Sequence, residues 1–142
     1  MSIFDAFLSA PETLDAFGDR AVVAAMLRFE AALARAQAAE GLLPASSAEA
    51  IAAACDVGHF DVAAMVRDSG RAGTVAIPLV KALREAVVAR DAAAGAHVHF
   101  GATSQDVIDT AMALATRDLL AAMQVVGDGG QQQQAGDGQD NG

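Results

Sequence analysis

Thr103, Ser104, Gln105 and Asp106 bring two hydroxyls, a side-chain amide and a carboxylate together where an apolar-periodic segment begins, directly behind His97-Val98-His99-Phe100-Gly101-Ala102. The amide N–H groups of a helix's first turn have no partner inside the helix, and the aligned peptide dipoles make that end partly positive. Hydroxyl and amide donors gathered at the same corner suit the carboxylate of a small di- or tricarboxylic acid, with no cation required. Thr103-x-x-Asp106 is equally the spacing of a capping box, in which the two side chains satisfy backbone N–H groups and merely start a helix. Spacing alone is compatible with both readings. Asp106 in such a box is hydrogen-bonded and held ionised, so it supports the corner rather than acting as a base.

His97 and His99 alternate with Val98 and Phe100, so an extended stretch would turn both imidazoles to one side. A metal site needs a third ligand, and neither a His nor an acid follows at a ligand-like spacing, so no metal is expected and a hydrogen-bonding role is assigned to the pair. Cys55 is the single cysteine and reads as a small buried apolar residue of a reduced compartment. His59 reads as a surface histidine. Lys81, the single lysine, reads as a surface side chain that could also meet an anion. Met26, Met65 and Met112 fall at helical core positions. Neither a phosphate-binding glycine loop nor a nucleophile elbow is readable, and no cofactor is expected.

These residues must be positioned by helices. Val22, Met26, Phe29, Leu33 and Ala36 form one stripe of a helix from Asp19 to Glu40, with Asp19 as its cap and Gly41 at its end. Ser46-x-x-Glu49 predicts a capping box opening a short Ala-rich helix to about Cys55. Asp61 predicts the cap of another, carrying Val62, Met65 and Val66 and stopping at Gly70. Both read as satellites of the core. Gly70 to Ile77 reads as a loop or extended stretch. Pro78 suits the first turn of a helix that buries Leu79, Val80, Leu83, Val87 and Val88, reaches about Ala94 and is closed by Gly95. A last helix runs from about Ser104 to Gln124 with Val107, Ile108, Ala111, Met112, Ala115 and Leu119 on one face. The fold class is therefore all-α: a helical domain over residues 1–103, the start of a long helix over 104–124, and a Gly/Gln-rich tail over 125–142 expected to be disordered.

Composition narrows the partners. At 142 residues, 54% of them hydrophobic, the chain can form one packed domain, and with Ala abundant and Trp and Tyr absent it favours close helix packing. Eighteen acids against nine bases give a net charge of −9, which excludes nucleic acid and an anionic membrane surface as partners. The sequence has neither an apolar stretch long enough to span a bilayer nor a basic-then-apolar leader, so the expected place is the cytoplasm.

His99-Phe100-Gly101-Ala102-Thr103-Ser104-Gln105-Asp106, followed by Val107-Ile108-Asp109-Thr110-Ala111, resembles the first conserved block of the fumarase/aspartase superfamily. Phe4-Asp5-Ala6-Phe7, Ala10-Pro11, Phe29 to Ala36, Gly41-Leu42-Leu43-Pro44 and Ala76 to Leu83 support it in order and spacing. Within that superfamily the chain is most similar to the carboxymuconate cycloisomerases. The resemblance implies a cofactor-free, lactone-forming isomerase of protocatechuate degradation, in the β-ketoadipate pathway, acting on a small polycarboxylate. Thr103, Ser104 and Gln105 would contact substrate, with His99 and Asp106 in support; the catalytic residue is not assigned. It also implies a homotetramer whose active sites draw on three subunits. Most of the central bundle and the two later blocks of such enzymes do not occur here, so the chain is expected to be a fragment, inactive alone. Gly73-Thr74 stands where relatives carry Gly-Asn. The alternatives are another lyase of the superfamily, such as adenylosuccinate lyase, which normally has a histidine near Ala76-Ile77-Pro78, and a non-catalytic helical module or gene remnant.

Overall fold

The computed structural model describes the backbone of residues 11–136 and the side chains of residue 11 and residues 14–124; Phe4-Asp5-Ala6-Phe7, Ala10 and the end of the tail, 137–142, lie outside the described residues. Among the described residues six α-helices follow one another: α1 (Pro11–Ala16), α2 (Asp19–Ala39), α3 (Ala45–Ala54), α4 (Val62–Ala72), α5 (Ala76–Val88) and α6 (Ser104–Gly136). Two 3₁₀ turns, Val57–His59 and Ala94–His97, join them, and among the described residues there is no strand. Helix α2 is the axis of the domain, packed along α3 on one side and α6 on another, while α5 leans on α4 and on the Ala94–His97 turn.

The core follows the periodicity where a single apolar stripe exists. Leu79, Leu83 and Val87 line the inner face of α5, and Val107, Ala111 and Ala115 that of α6, each at the three- and four-residue steps that place side chains on one side of a helix, whereas Val88, expected inside, is exposed. In α2 the buried face is Val23, Met26, Leu27, Glu30, Ala31 and Ala34. Only Met26 of the expected stripe lies there; Phe29, Leu33 and Ala36 instead line an open groove with Arg28, Ala32, Thr110 and Leu114. Alanines surround α2, so hydropathy has a shallow minimum around the helix and several neighbouring faces satisfy it. Helix α3 is no satellite: Ala48, Ile51 and Ala54 are buried against α2.

Helix ends correct several expectations. Gly18, not Asp19, precedes α2, and Asp19 sits in the first turn, where its charge suits the dipole. The Ser46-x-x-Glu49 box does not form; Pro44, with φ −63° and ψ 142°, leads straight into α3 at Ala45. Its preset φ favours helix entry two residues earlier than the box would allow. Asp61 does cap α4, accepting from the Ala64 N–H at 2.9 Å. That helix passes Gly70 and stops at Gly73, whose φ of +75° supplies the left-handed C-cap. The stretch 70–77 is accordingly two helix ends and a short turn, with Thr74 Oγ1 accepting from the Ala76 N–H at 3.2 Å to start α5. Helix α5 ends at Val88 rather than Ala94, and Gly95 lies in the next 3₁₀ turn. Helix α6 runs on to Gly136 instead of dissolving after Gln124, since extending a formed helix fixes one residue per new hydrogen bond and tolerates poor formers.

No helix among the described residues is long and apolar enough to cross a membrane. Leu83, fully buried between helices, tests the packing: Leu83→Ala should lower the unfolding free energy by about 2–5 kcal/mol with an unchanged denaturant slope, measured by urea titration of helical circular dichroism.

Candidate functional site

The loop from Ala94 to Thr103 carries the candidate residues His97, His99 and Thr103, and side chains from three helices pin it. Arg84 of α5 donates to the carbonyls of Gly95 at 3.3 Å and Val98 at 3.4 Å. Gln37 of α2 donates to the Phe100 carbonyl at 2.7 Å. Ser47 of α3, 3% exposed, lies 3.1 Å from His97 Nδ1. Val98 is a buried plug between these contacts, and Gly101 turns the chain with φ +69°. His97 and His99 therefore do not share a side: the stretch is not extended, and each imidazole is claimed by a different helix.

His99 takes a left-handed backbone, φ +58°, a conformation that costs a residue with a side chain about 1–3 kcal/mol. Its Nδ1 stands 2.6 Å from Oε1 of Glu30, a carboxylate 1% exposed on the inner face of α2. Burial pushes the Glu30 carboxyl above the ordinary carboxylate range, and the hydrogen bond and charge of His99 oppose that rise. Sequence reasoning gave His99 a hydrogen-bonding role but overlooked its partner. The available signal was an acid spaced with Met26 and Ala34 on one helical face.

At the start of α6 the capping box is formed. Asp106 Oδ2 accepts from the Thr103 N–H at 2.7 Å and from Thr103 Oγ1 at 2.9 Å, and Thr103 Oγ1 lies 3.3 Å from the Asp106 N–H. The Thr103 N–H, then its hydroxyl, hold the exposed Asp106 carboxyl below its usual range. Gln105 donates through Nε2 to Asp109 Oδ1 one turn on. Thr103 and Gln105 are thus exposed and engaged locally, whereas Ser104 faces a different neighbourhood. It lines a groove of about 250 Å³ with His99, Lys81, Arg84, Ile77 and Val80. Three nitrogen-bearing side chains and a helix start converge there, and none of the described lining residues is acidic. Within a chain of net charge −9 this lining is locally free of acids, surroundings whose sign suits an anion.

Cys55 is half-buried, and burial, aided by the Glu30 charge and opposed by Arg35, pushes its thiol up to about 12. Such a thiol is no nucleophile at neutral pH. His59 is exposed, 3.9 Å from Asp56. Among the described residues no group of three or more His, Cys, Asp and Glu side chains could hold a metal ion.

The lyase family matches this sequence over residues 7–127. The chain belongs to that family. This lyase-family chain is 48% identical over 118 residues to 3-carboxy-cis,cis-muconate cycloisomerase of Pseudomonas putida, a match covering 83% of this chain and 28% of that protein. It is 44% identical over 102 residues to nitrosuccinate lyase of Streptomyces davaonensis, covering 72% of this chain and 22% of the relative. Its fold superposes on the crystal structure of 3-carboxy-cis,cis-muconate lactonizing enzyme from Pseudomonas putida with a TM-score of 0.80 and 45% identity, over 87% of this chain and 28% of the other. The all-α expectation and the resemblance stated above agree with these matches. The chain spans little more than a quarter of the cycloisomerase's length.

Two measurements follow. Asp106→Asn should lower the melting temperature near neutral pH. A carboxyl whose pKa is depressed on folding adds stability above its ordinary value of 3.8 and loses it as pH falls through the depressed one, so the wild-type advantage should close in strong acid, as followed by thermal melts across pH. Cys55 should react with iodoacetamide on the order of a hundred-fold more slowly in the native chain than in denaturant, as read by mass spectrometry.

Proposed function

We propose that this chain forms the part of a 3-carboxy-cis,cis-muconate cycloisomerase that grips a carboxylate of the substrate, at the corner made by Thr103, Ser104 and Gln105 and the groove beside it. The observation that carries this reading is the convergence of Ser104, His99, Lys81 and Arg84 on one groove at the start of α6. The 48% identity to the Pseudomonas putida cycloisomerase supports the choice of substrate.

Lactone closure joins a carboxylate oxygen to one carbon of a double bond and a proton to the other. The carboxylate attached to the protonated carbon carries extra negative charge on the way, and fixed donors aimed at it lower the barrier. Ser104 contributes a hydroxyl, and the first-turn N–H groups add partial positive charge. Lys81 and Arg84 add full charges, with Arg84 already tied to the loop carbonyls that shape the site. Thr103 and Asp106 hold the corner together, and Gln105 borders it. A groove of about 250 Å³ is below the ~300–1,000 Å³ that encloses a whole drug-sized ligand, so it takes one acidic end of the substrate and leaves the rest to other surfaces. Those surfaces, and the proton donor, belong in this reading to the remainder of a homotetrameric, cytoplasmic enzyme of protocatechuate breakdown that uses no cofactor.

The test is a titration of the isotopically labelled chain with 3-carboxy-cis,cis-muconate, observed by amide NMR, with its uncharged triester as control. The Ser104, Gln105 and His99 amides should shift with the acid and not with the ester. Ser104→Ala should weaken binding about five-fold, the value of one hydrogen bond near 1 kcal/mol. Shifts confined to the groove between Arg28 and Leu114, or none at millimolar acid, would overturn the assignment. The isolated chain should show no loss of muconate absorbance; turnover by it would demand a proton donor among its own residues.

A further inference from the structure

Glu30 has no part in gripping an acid, yet it is the most deeply buried ionisable group among the described residues, 1% exposed. Oε1 meets His99 Nδ1, while Oε2 is sealed from solvent without a hydrogen-bond partner. Around it on the same face of α2 stand Met26, Leu27, Ala31 and Ala34, all apolar. Taking a carboxylate out of water for one polar neighbour is a poor route to stability, because a well-packed apolar side chain of similar size usually serves as well or better. His99 adds to the cost by holding φ +58°. The two features share one geometric result: an imidazole anchored to the core through Nδ1, its side chain 14% exposed, standing in the wall of the Ser104 groove.

An acid bonded to one ring nitrogen of a histidine fixes both the tautomer and the plane of the ring, and so decides what the other nitrogen offers. We propose that Glu30 is a positioning residue: its buried carboxylate accepts the Nδ1–H of His99 and thereby presents Nε2 to the groove lined by Ser104, Lys81 and Arg84. Nε2 accepts a hydrogen bond when the ring is neutral and donates one when it is charged, so the ring can follow the protonation of an acid group bound beside it. That last role rests on the reading of the groove as a carboxylate site; the ring lock itself does not.

Long-range proton–nitrogen NMR of the full chain at alkaline pH, where imidazoles are neutral, reads the tautomer directly. His99 should be protonated at Nδ1 and bare at Nε2, the reverse of the form free imidazoles prefer, while exposed His59 keeps the ordinary mixture. In Glu30→Gln the amide can accept or donate, so the Nδ1–H form should lose its dominance. Affinity for 3-carboxy-cis,cis-muconate should then fall about ten-fold, with helicity unchanged by circular dichroism. A wild-type His99 protonated at Nε2 overturns the proposal without any variant, and so does a folded Glu30→Gln chain with unaltered tautomer and affinity. An Nδ1–H ring in a chain whose Ser104 amide ignores the acid supports the lock and sinks the carboxylate reading instead.

Discussion

A carboxylate removed from water must be answered by something, and in this fold the answer is a single imidazole 2.6 Å away. That requirement reaches outward from Glu30. His99 has to stand in a left-handed backbone to meet it, Gly101 turns the chain just beyond, and Gln37, Arg84 and Ser47 hold the surrounding loop. The start of α6 inherits its place from this arrangement. Helix packing supplies the bulk of the burial, and the Glu30–His99 pair ties the loop before the polar corner to the middle of α2.

The corner itself serves two ends with different residues. Thr103 and Asp106 exchange hydrogen bonds and begin the helix. Ser104, one position along, turns toward the groove where Lys81, Arg84 and His99 gather. Ser104 can line the groove while its neighbours cap the helix because successive residues at a helix start point in different directions. A chain with twice as many acids as bases still has a groove whose described lining holds three nitrogen-bearing side chains and no acid, because local lining and total charge are set independently.

How much of this was legible from residues alone depended on how sharply each pattern constrains the backbone. The inner faces of α5 and α6 were readable because branched and long apolar residues recur on one side of each. The face of α2 was not, since alanine on several sides leaves the rotation of the helix undecided until its neighbours pack. Asp61 capped its helix as spacing predicts, while Ser46 did not, because Pro44 had already set the entry to α3. The capping box and Ser104 could be found from local sequence. The pairing of Glu30 with His99 and the cationic groove could not, because their members lie far apart in the chain and come together only through tertiary contacts.

The pins of the 94–103 loop reach back across sequence separations of 50, 63 and 69 residues to α3 and α2. Closing such spans has an entropic cost that is recovered only once the distant helices stand in place. Helical content can therefore return during refolding before the loop is ordered, and thermal agitation can free the loop while the helices persist. The pinned loop is in this sense the last piece to arrive and the first to leave, which makes His99 a more faithful witness of complete assembly than any measure of helicity.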